Sequence, residues 1–251
     1  MMKKNKTMIE SARAELRASA NKADAAVLQR FFKTGPGEYG EGDRFLGVRV
    51  PATRRVARKY RNLPMIDTLK LLRSPIHEER LLALIILTHK YRKGAPDEQA
   101  AIYTAYLNNT RHINNWDLVD ISAGHIVGAY LDNGSRRPLY QLARSNSLWE
   151  RRIAVIATFY FIKKDQFDET LKIARILTDD SEDLIHKAVG WMLREIGKRD
   201  QDLEESFLKK HHQRMPRTML RYAIEKFPED LRQRYLKRSN NGKRFQQTKS
   251  R

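Results

Sequence analysis

The sequence predicts an all-α protein wound as an α-α superhelix (a solenoid) with a basic concave face. Three observations lead there. Apolar residues recur at helical spacing nearly everywhere from Met8 to Leu236, and very little of the chain alternates as a strand would. Helix breakers interrupt this pattern at short intervals, which makes the helices short and their connections tight. A basic residue leading an apolar run returns at a spacing near 35 residues, the period of helix pairs stacked side by side.

Taken in order, the chain opens on the basic stretch Met1-Met2-Lys3-Lys4-Asn5-Lys6, and the helical periodicity begins after it. Residues 34–47 (TGPGEYGEGDRFLG) break that periodicity, and their glycines predict a shaped loop. From there the helices are punctuated at Pro51, Pro64, Pro75, Gly94-Ala95-Pro96, Asn133-Gly134, Pro138, Asn146, Asp179-Asp180, Pro216 and Pro228. Residues 237–251 carry six basic side chains, no acids and no apolar period. They read as a tail that is disordered, or ordered only on binding. Residues 1–236 read as one domain.

Four segments repeat: Ser74 to Arg80-Leu81-Leu82-Ala83, Asn146 to Arg152-Ile153-Ala154-Val155, Asp180 to Lys187-Ala188-Val189-Gly190, and Arg221-Tyr222-Ala223-Ile224. Their basic residues lie 72, 35 and 34 positions apart, and the missing step, 36 past Arg80, is Trp116. Two helices per unit at this period predict HEAT-like repeats, with the second helix of each unit lining one face. Arg80, Trp116, Arg152, Lys187 and Trp191 would share that concave surface, whose shape suits duplex DNA.

Charge points the same way. Lys+Arg of 49 against Asp+Glu of 30 gives a formal net charge of +19 and a pI near 10.2, so a polyanion is the expected partner. No apolar span is long enough to cross a bilayer and no signal-peptide core is present, so no membrane partner is expected. Without cysteine there is no disulfide framework and no thiolate metal site. A cytoplasmic monomer is the expectation. The seven histidines (His77, His89, His112, His125, His186, His211, His212) lack zinc-type spacing, and no metal or organic cofactor is expected. There is no P-loop, no GxGxxG after a strand and no local Ser-His-Asp signature.

Two segments carry the candidate chemistry. Residues 183–198 predict an amphipathic helix with Ile185, Ala188, Val189, Met192 and Ile196 on one side. Lys187, Trp191, Arg194 and Lys198 share the other. Nucleic acid would cover such a face, phosphates meeting the cations and a base or sugar meeting the indole; a neighbouring helix burying Trp191 is the alternative. In residues 114–120 (NNWDLVD), Trp116 and Asp120 stand at i, i+4 on one helical face, continued by the small Ala123, Gly124 and Val127. That leaves room beside the ring and the carboxylate. Asp117 lies off the line and reads as a helix cap. The competing arrangement has Trp116 in the core and Asp120 paired to an arginine. Trp149 reads as packing at a helix start, and Arg151 and Arg152 as phosphate contacts.

These pieces resemble the AlkD-like DNA alkylation repair glycosylases. The resemblance rests on Trp116-Asp117-Leu118-Val119-Asp120, Leu148-Trp149-Glu150-Arg151-Arg152, the run from Lys187 to Glu195 (KAVGWMLRE), and Phe45-Leu46-Gly47-Val48 followed by Pro51-Ala52-Thr53-Arg54-Arg55. They occur in the family's order over roughly residues 30–225. The resemblance implies a HEAT-like solenoid holding duplex DNA, and hydrolysis of the N-glycosidic bond of N3- and N7-alkylated purines without a cofactor. It assigns the catalytic aspartate to Asp120, the two lesion-flanking tryptophans to Trp116 and Trp191, and a backbone-contacting arginine to Arg152. Lys187, Arg194, Arg151 and Arg80 join Arg152 as expected phosphate contacts. The family's further aromatic near the N-terminus has Tyr39 of the Gly-rich segment as its stand-in. Members that bind DNA without glycosylase activity make a non-catalytic binder of duplex or branched DNA the alternative.

Overall fold

Most of the breakers start helices. Six prolines (Pro51, Pro64, Pro96, Pro138, Pro216 and Pro228) occupy an N-cap or first-turn position, where the missing N–H costs nothing and the fixed φ favours helix. The computed structural model describes residues 7–237. Its helices are α1 (Met8–Ala18), α2 (Lys22–Phe31), α3 (Val50–Lys59), α4 (Met65–Leu72), α5 (His77–Lys93), α6 (Pro96–Leu107), α7 (Trp116–Asp120), α8 (Arg137–Ala143), α9 (Leu148–Ala157), α10 (Phe159–Ile162), α11 (Asp168–Ile176), α12 (Asp183–Gly197), α13 (Gln201–His211), α14 (Arg217–Ala223) and α15 (Glu229–Leu236). A π-helical turn, Gly124–Gly128, follows α7. Among the described residues there is no strand; one isolated bridge joins Arg44 to Ile76.

The chain is an all-α superhelix. Helices α5, α7, α9, α12 and α14 pack in succession, and they carry Arg80, Trp116, Arg152, Lys187 and Arg221 in that order. The spacing near 35 residues is therefore the step from one inner helix to the next. Apolar side chains from Ile9 to Phe227 form one continuous core. Helix α5 is buried on nearly every side by its apolar run from Leu81 to Leu87, so its polar first turn must find partners inside the protein. Two glycines allow inner helices to touch backbone to backbone. A Cβ at Gly128 would overlap the Ala157 carbonyl, and one at Gly190 would overlap the Met219 carbonyl and Tyr222.

Two expected DNA contacts are corrected here. Arg80 shares the phase of Arg152 but is turned inward, where its guanidinium reaches Asp43 Oδ1 at 2.5 Å and the Ser74 carbonyl at 3.1 Å. It is fixed there by a carboxylate from the Gly-rich loop. Arg151 ties the turns before α9 and α12 together, meeting Asp180 at 2.6 Å and donating to the Ser145 and Asn146 carbonyls. No described helix is long and apolar enough to cross a membrane. The basic tail lies outside the described residues from position 238 onward.

Candidate functional site

The site begins at the ends of α7. Asn115 caps this five-residue helix, its Oδ1 accepting the Trp116 N–H at 2.9 Å. Trp116 at the first position and Asp120 at the last share a face. The Trp116 indole lies nearly parallel to Phe32, with centroids 5.2 Å apart and planes 19° apart, and meets Phe31 edge-on at 6.0 Å. Phe32 in turn stacks on Phe45 at 5.0 Å. The tryptophan is thus backed by rings, with its remaining face open.

Asp120 meets Arg152 in a two-bonded pair: Nε to Oδ1 at 2.9 Å and Nη2 to Oδ2 at 2.8 Å. The third guanidinium nitrogen donates to the Leu184 carbonyl at 2.5 Å, which aims the fork from α12. Burial pushes the Asp120 carboxyl above the ordinary carboxylate value, and the Arg152 guanidinium pulls it back. The arginine-paired alternative for Asp120 is therefore realised, yet the carboxylate also faces an opening, with its side chain 16% exposed. Trp191 is partly covered by Phe159, at 5.8 Å between centroids, and its indole N–H donates to Glu195 at 3.0 Å. Its two readings merge, since the half-buried ring still reaches the same opening.

That opening is a cleft of about 820 Å³. It brings together Trp116, Asp120, Arg152, Lys187, Trp191, Arg194 and Tyr39. Lys187 pairs with Asp183 at 2.6 Å, and Arg194 pairs with Glu225. Tyr39 arrives on the Gly-rich loop. Its hydroxyl donates to the Phe31 carbonyl at 3.4 Å and its ring meets Trp149 edge-on at 6.0 Å. Trp149 packs at the start of α9, capped by Ser147. The loop keeps its shape through left-handed turns at Gly37 and Gly42. It closes on Glu78, whose carboxylate accepts the N–H groups of Leu46, Gly47 and Val48.

Several lining residues escape the sequence reading. Phe31 is 61% exposed at the cleft wall, a large apolar ring left in water. Its neighbour Phe32 turns inward, and only the doublet Phe31-Phe32 at a helix end hinted at the pair. Lys33 follows in a left-handed conformation, φ 50°, a strained state for a residue with a Cβ. Tyr222, Glu38, Glu182 and Asp183 complete the polar and aromatic wall. Among the described residues no cluster of three His, Asp or Glu side chains suits a metal ion.

The sequence matches the family described as DNA alkylation repair enzyme over residues 12–227. The chain belongs to the DNA alkylation repair enzyme family. The match spans every helix from α2 to α14 and the whole cleft. A solved structure described as a predicted DNA alkylation repair enzyme from Enterococcus faecalis is similar in fold, with a TM-score of 0.63 and 17% identity. The alignment covers 84% of this chain and 98% of that one. No curated protein matches the sequence. Family membership gives this protein a role in DNA repair as an enzyme acting on alkylation damage.

Proposed function

We propose that the protein is a monofunctional DNA glycosylase that hydrolyses the N-glycosidic bond of N3- or N7-alkylated purines in duplex DNA. One observation carries this reading: a carboxylate, Asp120, is held in an arginine fork at the wall of a cleft framed by Trp116 and Trp191. Alkylation at N3 or N7 makes the purine cationic and a good leaving group. As the bond from C1′ to the base nitrogen breaks, the electron pair leaves with the base and positive charge develops on the deoxyribose. A fixed carboxylate beside C1′ stabilises that charge and orients the incoming water. Water adds its oxygen to C1′ and gives up a proton, leaving free base and an abasic site. The faces of Trp116 and Trp191 favour the same developing cation.

Arg152 serves two ends in this scheme. It opposes the upward push of burial on the Asp120 carboxyl, and it fixes both oxygens in one orientation. The cleft is broad and open. That suits approach from the sugar-phosphate side with the lesion left in the stack, and makes leaving-group ability the main discriminator. DNA phosphates would meet Lys187, Arg194 and Lys33, the last without an ion-pair partner among the described residues, at the rim.

A second reading rests on the same ion pair. If Arg152 fully occupies Asp120, the cleft binds damaged or branched duplex without cleaving it. Base release from methylated duplex DNA, compared between wild type and Asp120→Asn, separates the two. Release of 3-methyladenine or 7-methylguanine by wild type alone supports the glycosylase. Tight binding with no release by either protein supports the binder.

A further inference from the structure

The Gly-rich loop carries Asp43, and the proposed chemistry makes no use of that residue. Asp43 is buried, and it meets His77 of α5, Nδ1 to Oδ2 at 3.0 Å. The other ring nitrogen of His77, Nε2, lies 2.8 Å from Asp117 Oδ2 on α7. An ionised carboxylate offers only acceptors, so between two ionised carboxylates both ring nitrogens donate and the ring, 1% exposed, is an imidazolium. Asn114 Nδ2 also donates to Asp43, at 3.5 Å. Arg80 neutralises Asp43 from the far side, Asn115 Nδ2 donates to Asp43 at 3.3 Å, and Phe45 and Phe32 cover the ring faces at 4.4 and 5.1 Å. Two cations thus match two carboxylates inside the core.

The network ends at the proposed active site by two routes. Asp117 and Asn115 flank Trp116, and Asn115 also caps the helix that carries Trp116 and Asp120. The ring column from His77 through Phe45 and Phe32 ends on the Trp116 indole. Charge connects them as well, because Asp117 raises the Asp120 carboxyl. An imidazolium on Asp117 offsets that effect; a neutral ring would not.

We propose that Asp43, His77 and Asp117 are positioning residues: a buried carboxylate–imidazolium–carboxylate chain ties the Gly-rich loop to α7 and sets the placement of Trp116 and of Asp120 at the two ends of that helix. The placement of Trp116 stands on geometry alone, whereas the effect on base release rests on the glycosylase reading. The two carboxylates hold His77 protonated above the ordinary histidine value. Its stabilising contribution is complete below that ordinary value and is lost as pH rises through the folded one.

The test uses the full chain, labelled with ¹⁵N, followed by NMR from neutral to alkaline pH. Both His77 ring nitrogens should be protonated near neutrality. The Trp116 indole N–H, identified among the three tryptophans with single Trp→Phe variants, should shift with the His77 titration while that of Trp191 does not. In Asp117→Asn the two curves should move to lower pH together, and the alkaline limb of base release should move with them. At saturating DNA the turnover of that variant should fall about tenfold with affinity little changed. A His77 that carries one proton near neutrality, or a Trp116 signal that ignores it, overturns the proposal. Coupled titration in a wild type that releases no base would leave the positioning chain standing and remove the glycosylase.

Discussion

Asp120→Asn is the most informative single change, because the structure separates its cost to the fold from its cost to the chemistry. The substitution keeps shape and deletes charge. One amide oxygen still accepts from Arg152, but the amide nitrogen now faces a guanidinium donor where a carboxylate oxygen accepted at 2.8 Å. Arg152 keeps its bond to the Leu184 carbonyl. Breaking a buried ion pair costs about 3–5 kcal/mol when a partner is lost outright. With one acceptor retained, about 2–3 kcal/mol is expected, since a hydrogen bond to a charged group contributes about 1.5–3 kcal/mol. For a chain of this length that lowers Tm by roughly 4–12 °C, measurable by differential scanning calorimetry and small enough to leave the variant folded at 25 °C. Loss of a fixed transition-state charge should slow base release by about 10²–10³. Release is read by mass spectrometry of bases freed from methylated duplex at saturating enzyme, with DNA affinity measured in parallel. A variant that releases base within about twofold of wild type, at any Tm, would refute the assignment of Asp120.

Three further outcomes follow from the fold. Arg80→Ala should lower stability by about 3–5 kcal/mol, because it leaves Asp43 and Asp117 to share the single cation of His77 in the core, while the salt dependence of DNA binding, measured by fluorescence anisotropy, stays that of wild type; a shallower salt slope would return Arg80 to the DNA face. Glu204 is buried with Oε1 unpartnered among the described residues, and burial pushes its carboxyl up to about 9. The folded chain keeps a proton there that the unfolded chain releases, so stability falls as pH rises from the ordinary carboxylate range to about 9. Glu204→Gln should remove that slope and stabilise by on the order of 1–3 kcal/mol at mildly alkaline pH; an unchanged profile of Tm against pH would contradict it. Gly190→Ala should destabilise by about 1–3 kcal/mol by forcing α12 and α14 apart, and chemical denaturation with no change in midpoint would show that the crossing is looser than described.

The helices and their order were legible in the sequence because two local signals coincide. Prolines pre-set helix starts, and the step from Trp116 to Arg152 to Lys187 repeats the geometry of one helix pair. The tryptophans, Asp120 and Arg152 were legible because i, i+4 spacing and the repeat place them on inner helices. Arg80 escaped because phase says which way a side chain points and not what meets it. Its partner, Asp43, sits 37 positions upstream in a loop with no period. Phe31 escaped for a related reason. Adjacent phenylalanines at a helix end must diverge, and which one enters the core depends on the stack that Phe45 and Trp116 offer Phe32. The pairing of Asp43 with His77 and Asp117 joins three separate segments, and no spacing rule reaches across them.

The charges of the cleft carry a kinetic consequence. Lys33, Arg152, Lys187 and Arg194 are matched there by Glu38, Asp120, Glu182 and Asp183, while the whole chain carries an excess of +19. The long-range pull on a polyanion therefore originates outside the cleft. For the proposed DNA ligand, arrival and travel along the duplex would depend steeply on ionic strength. The dwell at one nucleotide would depend on what the rings and carboxylates find there. Salt would then tune how fast the enzyme scans, and leave nearly untouched how well it tells a cationic base from a neutral one.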